Sequence, residues 1–537
     1  MTQSLPPPIP SLVPDTAPFS EEQRAWLNGF FAGFVALDPK GVTPLSNEQA
    51  AALLPGIAGG VASVEDADTP WHDQTIPLAE RMKLAEGRTV RMKLMAAMAQ
   101  QDCGQCGYDC KTYSKAIFDH KEERLNLCVP GGKETARMVK ALFDEIGKDK
   151  TIAATPQPAA AVVPAGEAGR SRDTPVPATF LRRIRLNKPG SEKETWHIDI
   201  DLNGSGLDYR VGDAFGLYPH NDPSLVDAIL AALNAPADFP IGGRSLRDVL
   251  TDGVSLAPAP DMLFQLISYI TGGERRKKAK ALATGEDPDG DAASLDVLAA
   301  LEKFPGVRPD PEAFVEALDP LQPRLYSISS SPKANPGSVS LTVDSVRYAV
   351  DGRQRLGVAS TFLADRVGAG AKLKVYVQRA HAFGLPDNSA MPIIMVGPGT
   401  GVAPFRAFLQ ERRAIGATGE NWLFFGHQRS EYDFFYEEEF KAMQAQGVLT
   451  RLYLAWSRDT DEKFYVQDRM REVGRDLWAC IAEGAHIYVC GDAKRMAKDV
   501  ERTLVDIVAQ HGARSPNDAA AFLAELKKSG RFQQDVY

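Results

Sequence analysis

Four cysteines, Cys103, Cys106, Cys110 and Cys128, fall within 26 residues in the spacing C-x2-C-x3-C-x17-C. Gly104 and Gly107 stand beside the first two, and glycine lets backbone wrap closely round an inorganic core because it has no Cβ to clash. Four thiolates can hold a tetrahedral zinc or an iron–sulfur cluster. Zinc sites usually pair two CxxC knuckles, whereas three bunched cysteines and a distant fourth is the commoner iron–sulfur arrangement. Structural cysteines without metal are the third alternative.

A second set lies far downstream. Arg324-Leu325-Tyr326-Ser327-Ile328-Ser329-Ser330-Ser331 places a cation, a phenol and hydroxyls along one expected barrel strand. Arginine can fork onto a pyrophosphate, tyrosine can stack on a flavin and serine can reach its reactive nitrogen. Alone, the motif is equally an ordinary polar strand. Gly357-Val358-Ala359-Ser360 opens an apolar-periodic segment, so its amides could meet phosphate. The run MPIIMV is followed by Gly397-Pro398-Gly399-Thr400-Gly401, the strand, glycine turn and helix start of a nucleotide site.

These groups need elements to carry them. Pro6, Pro7, Pro8, Pro10, Pro14 and Pro18 mark residues 1–18 as an extended tail. Ser20 to Leu37 reads as a helix capped by Ser20, within a helical segment 19–85, and a further helix is expected across Pro77 to Gln101. The cysteine domain then spans 86–150, and the Ala/Pro-rich stretch 151–177 is the clearest linker. Its 27 residues reach at most ~90 Å extended and about 25–30 Å as a coil, so the cysteine domain is expected to swing. Alternating segments predict a β-barrel over 178–385, interrupted by a helical insertion at about 222–320. Strand–helix alternation over 386–537 predicts a doubly wound parallel sheet. The expected fold class is therefore multidomain: a small α-helical cysteine domain, an antiparallel barrel and an α/β nucleotide domain.

At 537 residues the chain is too long for a single core. A net charge of -9 disfavours nucleic-acid binding. The apolar run Ala25 to Leu37 is too short to span a membrane, which needs about 20 residues. The amino terminus lacks the pattern of a secretory signal, and six cysteines with four clustered fit a reducing cytoplasm. Cys480 and His381 are expected to be structural.

DCGQCGYDC followed by LCVPGG resembles the small [4Fe-4S] domain of some redox and corrinoid proteins, over about residues 90–145. RxYSxxSS, GVAST, GPGTGVAPFR, SRD with KFYVQ, YVCGD and a final aromatic residue follow in that order. This half, about 178–537, resembles the ferredoxin–NADP reductase-like half of the diflavin reductases, and within them the flavoprotein subunits of NADPH-dependent sulfite reductases. The resemblance implies FAD contacts from Arg324, Leu325, Tyr326, Ser327, Thr342, Val343, Tyr348, Gly357, Val358, Ala359 and Ser360, with Tyr537 stacked over the flavin as a lid that nicotinamide must displace. It implies nucleotide contacts from Gly399, Thr400, Ser457, Arg458, Lys463, Tyr465, Val466, Gln467 and Asp499, and a hydride-transfer role for Ser327, Cys490 and Asp535. Arg458 and Lys463 beside hydroxyls suit a 2′-phosphate, hence NADPH.

Relatives of that kind begin with a flavodoxin-like FMN domain, but residues 1–177 show neither its phosphate loop nor strand–helix alternation. FMN is expected to be absent, with the cysteine domain in its place. The expected route is NADPH to FAD to a [4Fe-4S] cluster to a partner: a sulfite reductase haemoprotein in a hetero-oligomer, or another acceptor such as nitrite reductase or ferredoxin. No further cysteine set exists for a siroheme centre in this chain. A third expectation keeps the cysteines as a zinc-held docking module and lets the FAD half reduce the partner directly.

Overall fold

The computed structural model describes residues 69–146 and 167–537, apart from Thr75, Asp102, Gln105, Asp351 and His381. The expected tail, the helix at Ser20 to Leu37, His381 and most of the Ala/Pro stretch lie outside the described residues. Pro70–Tyr537 forms one compact unit. Among the described residues no helix is long and apolar enough to cross a membrane.

The helix expected over Pro77 to Gln101 is two, Leu78–Leu84 and Val90–Ala97. Gly87, at φ +77°, turns the chain between them, and the Thr89 hydroxyl accepts from the Met92 amide to start the second. Helices Cys110–Phe118 and Gly132–Ile146 complete the cysteine module. Leu94, Ala97, Tyr113, Ile117, Val139 and Leu142 form its core, and Leu78 and Met82 pack on it. A boundary at residue 85 would cut this core, so the first helix belongs to the cysteine module.

Strands β1 (Val176–Arg185), β2 (Thr195–Asp201) and β3 (Ala214–Leu217) open the barrel. β1 starts inside the stretch assigned to the linker, and Gly169 already accepts from the Val377 amide. Residues 167–177 are thus part of the barrel, because their backbone groups pair with it. After β3 come the short pair β4 (Pro240–Ile241) and β5 (Arg244–Ser245) and helices from Pro223–Leu233 to Pro311–Glu316, which enclose a core of their own around Ile229, Leu250, Phe264 and Leu301. The chain returns through β6 (Arg324–Ser327), β7 (Ser338–Asp344), the exposed hairpin β8 (Arg347–Val350) with β9 (Arg353–Leu356), and β10 (Lys372–Gln378). The antiparallel order is β6-β3-β10-β1-β2-β7, and a bridge from Ile328 to Leu341 brings the two edges together.

The last third is a five-stranded parallel sheet of β11 (Ile393–Val396), β12 (Asn421–His427), β13 (Arg451–Trp456), β14 (His486–Gly491) and β15 (Phe532–Val536), in the order β13-β12-β11-β14-β15. The chain leaves β11 to one side and returns to the other as β14. The gap beyond their carboxyl ends is therefore a topological switch point, where open α/β sheets bind ligands. The fold is the multidomain α/β and β-barrel architecture expected from the sequence.

Candidate functional site at the seam of barrel and parallel sheet

Ser327, at the end of β6, donates its hydroxyl to Asp535 Oδ2 at 2.5 Å, and Cys490 Sγ lies 3.8 Å from the same oxygen. Cys490 and Asp535 are paired across β14 and β15. The glycine turn after β11 presses on them from above: a Cβ on Gly401 would stand 2.1 Å from the Cys490 carbonyl oxygen. Burial pushes the Asp535 carboxyl above its ordinary range, and burial together with the nearby Asp535 charge pushes the Cys490 thiol well up. Cys490 is thus a neutral thiol, suited to orienting a ring and not to nucleophilic attack.

Tyr537 closes the seam. Its hydroxyl meets Thr400 Oγ1 at 2.8 Å, its amide donates to the Gly491 carbonyl, and its carbonyl accepts from Ala493. The backbone is pinned while Tyr537 is 56% exposed, so moving its ring aside requires side-chain rotation and loss of the Thr400 contact. Beside it lies a cavity of about 350 Å³ lined by Thr195, Asp344, Gly399, Thr400, His427 and Tyr537, among others. Burial keeps His427 below its ordinary value, so this imidazole is neutral near neutral pH.

On β6, Arg324 donates to the carbonyls of Gln322 and Pro323, and burial depresses its pKa without an acid beside it. A buried guanidinium without a carboxylate is a natural seat for phosphate. Tyr326 is partly buried against the barrel core. Thr342 on β7 meets the hydroxyl of Tyr436 at 2.7 Å. Tyr436 comes from the parallel-sheet domain at φ +56°, lies 3.2 Å from His197 and stacks under Arg406 at 4.7 Å. Tyr436 and Arg406 join the two domains, and no motif marks the tyrosine in the sequence. Tyr348 is exposed on the hairpin. Gly357 accepts from Thr361, and the Ser360 hydroxyl accepts from the Val346 amide. Val343 and Ala359, expected to touch FAD, instead pack in the barrel core: Val343 because alternate positions of a strand face inward, Ala359 from the short helix Val358–Thr361. Only their main chains can reach a ligand.

Ser457, Arg458, Lys463, Tyr465 and Gln467 gather beyond the carboxyl end of β13. Ser457 and Arg458 hydrogen-bond back to His427 and Gln428, Lys463 is exposed, and Tyr465 caps helix Val466–Glu472. Val466, also expected to touch nucleotide, is buried in the sheet's helix-side core. Asp499 is tied to Arg502 in the first turns of helix Met496–His511. Arg458 is tied to Glu192 in the β1–β2 loop, a contact that no local pattern marks. Cys480 is core, as expected.

All four clustered thiols line one pocket with Met98, Tyr113, Leu127 and Pro130. None of the cysteines is in a disulfide. Among the described residues no three Cys, His, Asp or Glu side chains converge on a point that could hold a metal ion. Burial pushes Cys106 up to about 12 and raises Cys128, so ionisation there needs an added positive charge, as a metal supplies. Cys110 begins a helix capped by Asp109, and Arg81, 6% exposed and bonded to Ala96 and Ile76, lies within electrostatic reach of Cys128 and Cys110. Positive φ at Gly104 and Gly107 gives the loop its wrap. The donor set fits a thiolate-held inorganic group.

An antiparallel barrel joined to a parallel sheet, with hydroxyl, carboxyl and thiol meeting at a topological switch point, defines a two-domain flavin and nicotinamide-nucleotide oxidoreductase. Family models agree: residues 169–242 and 242–362 match an FAD binding domain and 395–502 an oxidoreductase NAD-binding domain. The chain is 42% identical over 371 residues to the sulfite reductase [NADPH] flavoprotein alpha-component of Photorhabdus laumondii, covering 68% of this chain and 61% of that protein. Against the same component from Bacillus subtilis it is 41% identical over 390 residues, 72% of this chain and 64% of the relative. Against that of Serratia proteamaculans it is 35% identical over 583 residues, 97% and 96% of the two chains. The chain belongs to the family of sulfite reductase [NADPH] flavoprotein alpha-components. It spans about three-fifths of the first of these relatives.

Proposed function

We propose that this chain takes hydride from NADPH onto FAD and passes electrons singly, through a [4Fe-4S] centre on Cys103, Cys106, Cys110 and Cys128, to a haem-containing sulfite reductase partner that makes sulfide. The observation that carries the hydride step is the Ser327–Asp535–Cys490 contact at the switch point, with Tyr537 over it. Arg324, Tyr326, Ser327, Thr342, Tyr348 and the Gly357–Ser360 turn would hold FAD, while Gly399, Thr400, Ser457, Arg458, Lys463, Tyr465 and Gln467 would hold NADPH. When bound, FAD accepts hydride and releases electrons one at a time. Ser327, Cys490 and Asp535 orient the rings and hold charge steady around them.

A tetrahedral zinc draws four sulfurs to about 2.3 Å from one point. The four thiols here line one pocket from three bunched positions and a distant fourth, the commoner iron–sulfur arrangement. The partner supplies the sulfite chemistry, which makes a hetero-oligomer, and six cysteines outside any disulfide support a reducing, cytoplasmic setting. The test is anaerobic quantitation of iron, sulfide, zinc, FAD and FMN on the purified chain, with NADPH titration. The reading expects about four irons and sulfides and one FAD per chain. Zinc in place of iron, or one FMN per chain, overturns it.

A further inference from the structure

The cysteine module rests on the flavin-binding half through many contacts. Arg137 forks onto Asp261 at 2.8 and 2.9 Å, Asn126 donates to Asp319 at 2.6 Å, and Lys133 reaches the Ala259 carbonyl. More telling is where the cysteine loop sits. A Cβ on Gly104 would come 2.8 Å from Gln378 Nε2, and one on Gly107 would come 3.3 Å from Arg172 Cδ. Arg172 is 7% exposed and is fixed by Gln322 at 2.5 Å. The main chain at Gly104 thus lies directly against the Gln378 side chain at the end of β10.

Strand register shows what faces that loop. Gln378 is paired with Ala214 on β3, and Ala214 with Ser327 on β6. Directly opposed residues of an antiparallel sheet project from the same face, so Ser327, Ala214 and Gln378 form one row. Leu325, Gly216 and Tyr376 form the next row along. Val375 and Val377 point into the barrel core, so the face carrying Tyr376 and Gln378 is the outer one. Tyr376 is fully buried there, its ring pressed so closely on Gly216 that a Cβ would stand 2.2 Å from Cζ. Two interstrand spacings, ~10 Å, separate the Ser327 position from the Gln378 position.

We propose that the cysteine module is a seated carrier and not a swinging one: Gly104 and Gln378 are positioning residues that hold the Cys103–Cys106 loop on the outer barrel face, two strands from Ser327. This rests on the function proposed above and sets the entry point for electrons. The reaction balances as hydride from NADPH to FAD, two successive one-electron transfers to the four-thiolate centre, each passed on to a one-electron haem acceptor, and release of the accompanying proton to solvent. The contacts of Arg137, Asn126, Lys133 and Gly104 favour this seat over the mobile domain expected from the sequence.

Gln378→Arg puts bulk under the loop from outside the cysteine module, and Gln378→Ala removes the contact without bulk. Both are compared with the parent chain for iron and sulfide content, FAD reduction by NADPH, the anaerobic rate of flavin-to-centre transfer, and amide-exchange protection of peptides covering 103–113 and 374–380. The seat predicts protection of both peptides in the parent. In Gln378→Arg it predicts loss of protection at 103–113 and transfer at least tenfold slower, with metal content and FAD reduction unchanged, and a smaller loss of both in Gln378→Ala. Lack of protection in the parent, or parent-like transfer in Gln378→Arg once protection is lost, overturns the seat. Absence of iron overturns the proposed function instead, and the exchange data still decide the seat.

Discussion

Ser327 and Asp535, 208 positions apart in sequence, share a hydrogen bond of 2.5 Å that ties the barrel to the last strand of the parallel sheet. The two domains are locked at the point where the proposed hydride transfer falls. Asp535→Asn keeps the shape but weakens the Ser327 contact, and a ring misplaced by about 1 Å can cost ~100-fold. The expected result is flavin reduction by NADPH slowed about 10- to 100-fold with FAD still bound, measured by anaerobic stopped flow.

Burial raises Asp535 above its ordinary value of 3.8. The folded chain holds this proton more tightly than the unfolded chain, so the stability linked to it is complete below 3.8 and is lost as pH rises through the raised value. Thermal unfolding across the acid range should show this loss, and Asp535→Asn should flatten that part of the profile. An unchanged profile would count against the buried-carboxyl account.

In the proposed function Tyr537 gives up its contact with Thr400 before nicotinamide can stack. A neutral hydrogen bond contributes ~0.5–1.5 kcal/mol net. Thr400→Val should therefore tighten binding of oxidised nucleotide by about 2- to 10-fold, read by equilibrium titration of flavin absorbance. Looser binding would show that Thr400 serves the nucleotide more than the lid.

Arg458 is held by Glu192, an exposed pair of the kind that contributes ~0.2–1 kcal/mol. Glu192→Gln frees the guanidinium for a 2′-phosphate. KM for NADPH should fall by up to about fivefold while KM for NADH stays level, and the gap should close at high salt as screening grows.

If the cysteine module is seated, lengthening the Ala/Pro stretch by ten Gly/Ser residues should leave flavin-to-centre transfer unchanged, because a docked unit does not depend on tether length. A swinging carrier would slow as its effective concentration drops. Arg137→Glu should loosen the module, and Arg137→Glu with Asp261→Arg should restore it, followed by small-angle scattering.

The sequence made the glycine turn, the Arg324–Ser327 strand and the cysteine spacing legible because each is a local pattern with a local physical cause. Tyr436, Glu192 and Gln378 were not legible. Each acts on a residue more than a hundred positions away, and no periodicity encodes that. Val343 and Val466 show the converse error: a motif can be carried across by position while strand alternation or helix packing turns the side chain inward. The helix break at Gly87 was readable in principle, since glycine followed by a threonine cap signals a new start.

Gly104 brings backbone alone to the contact, so on the module's side there is no side chain to lengthen, shorten or recharge, and Gln378 on the barrel side is the one that can be. The interval between β6 and the thiols is then set by the fold and that single side chain. What remains adjustable is the driving force, set by charges such as Arg81 around the cysteine pocket, and relatives built on the same seat would differ in potential before they differed in distance.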